Sequence, residues 1–158
     1  MSANLKFNFE FAGNKYIAPS MKEIESLFDA YKNAIFEKDL EAFCSIFDEK
    51  VRIFDMWQQW TYEGLSAWRE MAKGWFSSLG TNRDVVTFDG IQIQTDGELA
   101  VATAFVRFTA VSAEGKELRY LEDRLTWVAR KKEGTWKIVH QHTSAPIDFN
   151  TMKVILTR

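Results

Sequence analysis

Both histidines of this chain fall in one short run, Arg124 to Pro146, RLTWVARKKEGTWKIVHQHTSAP, which reads as two strands joined at a glycine turn. A three-residue loop of Lys132, Glu133 and Gly134, closed by a residue with positive φ, would pair Lys131 with Thr135. Arg124 then faces His142, Thr126 faces His140, and Val128 faces Ile138. That register gathers a guanidinium, a hydroxyl and two imidazoles on one surface. A two-residue loop would shift the pairing by one and put Arg124 and Thr126 on the face opposite the histidines. The three-residue loop is the expected one.

A second candidate is Asp55, set among Phe54, Met56, Trp57 and Trp60. An ionised carboxylate in such surroundings costs several kcal/mol unless it is hydrogen-bonded. As a functional group it abstracts a proton, its pKa raised by desolvation. As a structural group it accepts bonds from Arg124, His140 or a loop amide. Arg124 has two readings as well, since its fixed donors suit a carboxylate or enolate in a pocket but also a salt bridge to Asp55 or across a subunit boundary. His140 and His142, at i and i+2, have good spacing for two ligands of one metal, yet a third ligand is hard to find and no metal is expected. One imidazole is expected to donate to a carbonyl in the core, and His142, nearer the strand end, is the pocket candidate. Trp57, Trp60, Trp68 and Trp75 are core or pocket lining, which suits a flat, apolar ligand.

Composition limits the partners. With 158 residues, 46% hydrophobic and 15% aromatic, the chain fits one soluble, aromatic-rich domain. Twenty Lys and Arg against 22 Asp and Glu give a net charge of -2, with no basic cluster able to track a phosphate backbone, so nucleic acid is not expected as a partner. The single Cys44 excludes an intramolecular disulfide and reads as a small core residue in a reducing, cytoplasmic setting. Lys6 and Glu10 interrupt the apolar N-terminal run, so neither a signal peptide nor a membrane span is expected.

The elements that must position these residues come helices first, sheet second. Leu5, Phe7, Phe9 and Phe11 alternate with polar residues as a strand in an N-terminal extension over residues 1–19. A helix is expected from Ser20, with Glu23 completing a capping box and Ile24, Leu27, Phe28, Tyr31 and Ile35 as its buried stripe. A shorter helix starts at Asp39, a strand covers Val51 to Trp57, and a third helix runs from Ser66 to Leu79. Four strands follow, Val85–Gln94, Leu99–Val111, Leu118–Arg130 and Trp136–Ser144, separated by short Gly-containing turns that call for an antiparallel meander. Residues 147–158 form a tail in which Lys153 to Leu156 can add a short strand. The fold class is α+β, a cone-shaped curved antiparallel sheet over N-terminal helices, with the cone's mouth as the natural pocket. Leu99 to Val106 is apolar on both faces, so the outer face of the sheet is expected to be covered by a second copy in a homodimer.

This order of elements, ending in Arg124, Thr126, Val128, Gly134, Trp136, Lys137, Ile138, Val139, His140, His142 and Ser144, resembles the nuclear transport factor 2-like superfamily, and its SnoaL-like group most of all. The same ending is similar to the association domain of calcium/calmodulin-dependent protein kinase II, a non-catalytic assembly module. The first half, YKNAIFEKDLEAFCSIFDEKVRIFD, resembles ketosteroid isomerase. That resemblance implies Tyr31 as an oxyanion-hole donor and Asp55 as general base, with the second, protonated acid of that enzyme falling near Thr126, which is not an acid. Steroid isomerisation is therefore not expected.

Two functions stay open at this point. One is a cofactor-free acid/base enzyme, of isomerase, cyclase or dehydratase type, acting on a small apolar carbonyl compound. Its catalytic residues would be Asp55, Tyr31 and His142, with Arg124, Thr126, His140, Trp57 and Trp60 contacting the ligand. The other is a module that binds a small ligand, or assembles, without chemistry.

Overall fold

The computed structural model describes residues 19–158, so the strand expected over Leu5 to Phe11 lies outside the described residues. The helical half is α1 (Pro19–Glu37), α2 (Leu40–Ser45) and α3 (Leu65–Ser78). The strands are β1 (Phe47–Phe54), β2 (Tyr62–Glu63), β3 (Arg83–Asp96), β4 (Leu99–Val111), β5 (Glu117–Lys132) and β6 (Thr135–Ser144). They form one open sheet in the order β2-β1-β6-β5-β4-β3. From β3 to β6 the sheet is the expected antiparallel meander, but β1 joins it parallel to β6. Among the described residues no helix is long and apolar enough to cross a membrane.

Local chemistry explains the helices. Asp39 caps α2, its side chain accepting the Ala42 amide at 2.9 Å. The α1 stripe of Ile24, Leu27, Phe28, Tyr31 and Ile35 is buried as its spacing requires, whereas Ser20 already lies inside the helix. The stripe meets the concave face of the sheet, where Trp127 of β5 lies 4.5 Å from Phe28 and 5.4 Å from Tyr31 between ring centroids. Aromatic contacts of this kind add to area burial and hold α1 against the middle of the sheet. Cys44 is a buried thiol beside Phe43.

The hairpin of β5 and β6 departs from the expected register near its turn. Lys132 pairs with Thr135 across a two-residue loop, in which Glu133 and Gly134 have φ of 50° and 77°. Positive φ at both central residues is the turn whose twist matches that of the strands, and this outweighs the cost of a left-handed Glu133. By itself this loop would have put Arg124 and Thr126 opposite the histidines' face. A bulge restores the shared face: Ala129 pairs with Ile138 but Val128 pairs with His140, leaving Val139 as the extra residue. Thr126 therefore faces His142 and Arg124 faces Ser144, a two-residue offset from the expected pairs. Beyond the end of β6 the tail returns to β5, with Ile147 bridging Val154 and the Glu122 amide donating to the Leu156 carbonyl at 2.7 Å.

Candidate functional site

Alternation along β5 and β6 decides what can reach the inside of the cone. Asp123, Leu125, Trp127 and Ala129 are buried, as are Ile138, Gln141 and Thr143, while Arg124, Thr126, His140 and His142 occupy the other, outer face. The polar cluster expected on one surface thus exists, but it faces away from the concave side. His140 is half-buried, with Nδ1 2.8 Å from the Arg52 carbonyl oxygen and its ring edge-on to Phe54. That is the carbonyl contact expected for one of the two imidazoles. His142 is exposed and also stacks edge-on against Phe54.

A cavity of about 820 Å³ opens between α3, the β1–β2 loop and the concave sheet. Tyr31, Asp55 and Trp57 line it. Arg124, Thr126, His140, His142 and Trp60 do not, and Trp60 stands 96% exposed. The expectation that His142 and Arg124 converge with Asp55 is corrected on this point. Arg124 and the histidines sit on residues of the opposite parity to Trp127 and Gln141, so one sheet thickness separates them from the cavity.

Asp55 is placed by the end of β1. Val51 and Ile53 point inward, and two residues on the same alternation carries Asp55 to the cavity just where the strand stops. The Thr143 hydroxyl donates to its Oδ1 at 2.7 Å, and the Met56 amide donates to the same oxygen at 3.0 Å. Burial raises its pKa above the ordinary 3.8, and the bonds from Thr143, Met56 and Trp57 offset only part of that. No cation approaches it to reverse the sign among the described residues.

Opposite Asp55, the cavity holds an acid that the residue pattern did not single out. Asp123 is 6% exposed, and burial followed by the charge of Asp55 pushes its carboxyl up to about 7. Its Oδ1 has no hydrogen-bond partner among the described residues. In the sequence it sits in a run, Glu122-Asp123-Arg124, that reads as a solvated stretch. The available signal was parity: Asp123 shares the face of Trp127, three residues before Thr126, where a second acid had been sought.

Three further polar groups line the cavity. Asp84 enters from β3 and accepts the Trp75 indole Nε1 at 2.9 Å. Gln141 is fixed by the Trp127 indole, which donates to its Oε1 at 2.8 Å. Tyr31 is buried, and its hydroxyl is raised well above 10 by burial and by the carboxyls of Asp123, Asp55 and Asp84. It is therefore a proton donor at any neutral pH.

The profile of the SnoaL-like domain matches residues 24–148. The chain belongs to the SnoaL-like family. The matched span contains every cavity residue named above, so the site lies within the domain rather than on an appendage. Among curated proteins no sequence matches this one. Solved structures agree on the fold. A nuclear transport factor 2-like protein of unknown function from Pseudomonas putida aligns with a TM-score of 0.78 at 23% identity, over 88% of this chain and 95% of that one. A nuclear transport factor 2-like superfamily protein from Salmonella enterica aligns at 0.64 and 23%, over 81% and 92%. A Xanthomonas campestris protein, provisionally described as a calcium/calmodulin-dependent protein kinase II association domain, aligns at 0.68 and 17%, over 87% and 98%. At such identities the likeness is one of fold.

Proposed function

We propose that this SnoaL-like domain is a cofactor-free acid/base enzyme that moves a proton on a small, largely apolar carbonyl compound. One observation carries the reading: two carboxyls, half-buried Asp55 and buried Asp123, share one aromatic-walled cavity and are held in different environments. Asp55 is anchored by Thr143 and Met56 and acts as the base on a carbon next to the carbonyl. Asp123, with a pKa of about 7, keeps its proton in a large fraction of molecules at neutral pH and donates to the carbonyl oxygen as negative charge builds there. Tyr31 is the second donor. Trp57, Trp68 and Trp75 supply flat apolar walls and lower the local dielectric, which strengthens both effects. Histidine and Arg124 have no part in this scheme.

Proton abstraction can be tested before the natural substrate is known. Small cyclic ketones and enones incubated with the protein in deuterium oxide should exchange their α-hydrogens faster than in buffer, read by mass spectrometry. Asp55→Asn should reduce that rate by about 10²-fold or more while the fold and ligand-induced thermal stabilisation persist. Exchange no faster than in buffer for any ligand that binds would leave the domain as a binding module. Exchange unaffected by Asp55→Asn would remove Asp55 from the role of base.

The outer face of the sheet supports a homodimer as the working assembly. Leu99, Val101 and Phe105 stand 40%, 37% and 38% exposed in a row along β4, and half-buried Val128 continues the patch on β5.

A further inference from the structure

Outside the cavity, several acids are answered by bases. Glu37 pairs with Arg83, Glu41 with Arg69, Asp48 with Lys132, and Glu63 with Arg52. Inside, the pattern stops. Asp55, Asp84 and Asp123 form no ion pair among the described residues, and every charged side chain lining the cavity is acidic, with Glu70 as the fourth. Composition does not force this, since the chain carries 20 basic residues against 22 acidic.

A buried carboxylate without a counter-charge is costly, and Asp84, 8% exposed with the Trp75 indole as its donor, leaves a place for positive charge to enter with a ligand. The buried Oδ1 of Asp123, partnerless among the described residues, points to a ligand independently, because a carboxyl oxygen hidden from water and bonded to nothing is otherwise a plain loss. The walls suit a cation as well. Trp57, Trp75, Tyr62 and Phe108 line the same space, and aromatic faces attract cations most strongly where water is displaced. Among the described residues no three acidic, histidine or cysteine side chains come together as a metal site, so the counter-charge fits an organic cation better than a metal ion.

We propose that the ligand of this cavity is an amine-bearing cyclic compound, whose ammonium group is taken by Asp84 beside the Trp75 indole while its carbonyl end lies between Asp55 and Asp123. Asp84 is the better cation partner. Its Oδ2 is fixed by the Trp75 Nε1, so the carboxylate is pre-oriented, and the two catalytic carboxyls remain free for proton transfer. Anionic ligands are disfavoured by the ionised acids of the lining. This assignment rests on the cavity being the ligand site, as in the proposed function, but not on turnover.

The test uses three probes with one ring skeleton: 2-phenylethylamine, 2-phenylethanol and 3-phenylpropionate, titrated calorimetrically into the full chain near neutral pH. The amine should bind at least about tenfold more tightly than the alcohol, and the carboxylate should give no binding heat. Asp84→Asn, which can still accept the Trp75 bond, should erase the preference for the amine and leave the alcohol's affinity within about twofold. Circular dichroism confirms that the variant is folded; should it not fold, Phe108→Leu, which removes an aromatic face but no charge, should also weaken the amine more than the alcohol. Equal binding of amine and alcohol, tight binding of the carboxylate, or an amine preference that survives Asp84→Asn would each overturn the charge assignment while leaving the cavity as a ligand site. If none of the three probes binds, the assignment fails; if the apolar ketones also give no thermal stabilisation, the proposed function fails with it.

Discussion

At the residue scale Asp55 and Asp123 differ in how they are supported. Asp55 has a hydroxyl and an amide on Oδ1 that offset part of its burial, whereas burial and the charge of Asp55 raise Asp123, whose Oδ1 has no partner among the described residues. The unfolded chain releases the Asp123 proton near 3.8 and the folded chain near 7, so between those values the folded state holds more protons. Stability then falls as pH rises through this window. The penalty is absent below the lower value and complete above the upper one. Asp123→Asn removes the ionisation, so its stability relative to the parent should improve by about 1–3 kcal/mol between about pH 5 and about pH 8, measured by chemical denaturation at each pH. A difference that does not change with pH would show that Asp123 titrates normally. The same substitution should cost carbonyl binding less than proton exchange, because an amide still donates a hydrogen bond but is not an acid.

Elements place these residues through small irregularities. The bulge at Val139 sets the parity of the rest of β6, sending Gln141 and Thr143 inward and His140 and His142 outward. The turn contributes its own constraint. Gly134 at φ 77° has no atom within 4 Å of an added Cβ, so the cost of a substitution there is conformational rather than steric crowding with neighbours. Gly134→Val should lower the unfolding free energy by about 1 kcal/mol or more, because a β-branched residue is strained at positive φ. Thermal or urea unfolding checks it. A neutral Gly134→Val would mean the hairpin changes to another turn without loss. On β3, Gly90 at φ 62° lies in a second bulge, between Asp89 and Gln92, which helps the long β3–β4 ribbon curve around α1.

At the scale of the whole molecule, the sheet separates two surfaces of different chemistry. The concave side holds the cavity; the convex side carries Arg52, Phe54, Arg124, His140 and His142 together with the exposed apolar row of β4. The tail reaches this region too, with the Arg158 guanidinium 4.1 Å from the centroid of Phe105. If the convex face is the homodimer contact, the protein should scatter light as a dimer at micromolar concentration, and Val101→Arg should halve the mass or prevent folding. A stable monomer of the parent chain would sink the dimer. In that case the polar groups of the convex side would be solvated surface.

Much of this architecture was legible from residue order alone. Apolar spacing at 3.6 fixed the α1 stripe, Asp39 marked the start of α2, and alternation with short glycine turns marked the four-stranded meander, because each signal acts within a few residues. Asp55, Tyr31 and Trp57 were also legible as cavity candidates, since a carboxylate among aromatics and a hydroxyl on an apolar stripe are local contradictions that a pocket resolves. The sidedness of Arg124, Thr126 and both histidines was not. They share a face as expected, yet which face became the inside depends on where helices cover the sheet and on one bulged residue, neither of which leaves a local mark. Asp123 was hidden for the same reason: in the chain it stands between two charges, and only the cover of the helices over the concave face of the sheet turns it into a buried acid sharing a cavity with Asp55. Local periodicity determines the elements and their greasy sides, while the meeting of residues far apart in the chain, and with it the pKa values and the site, is decided only when tertiary packing removes water from between them.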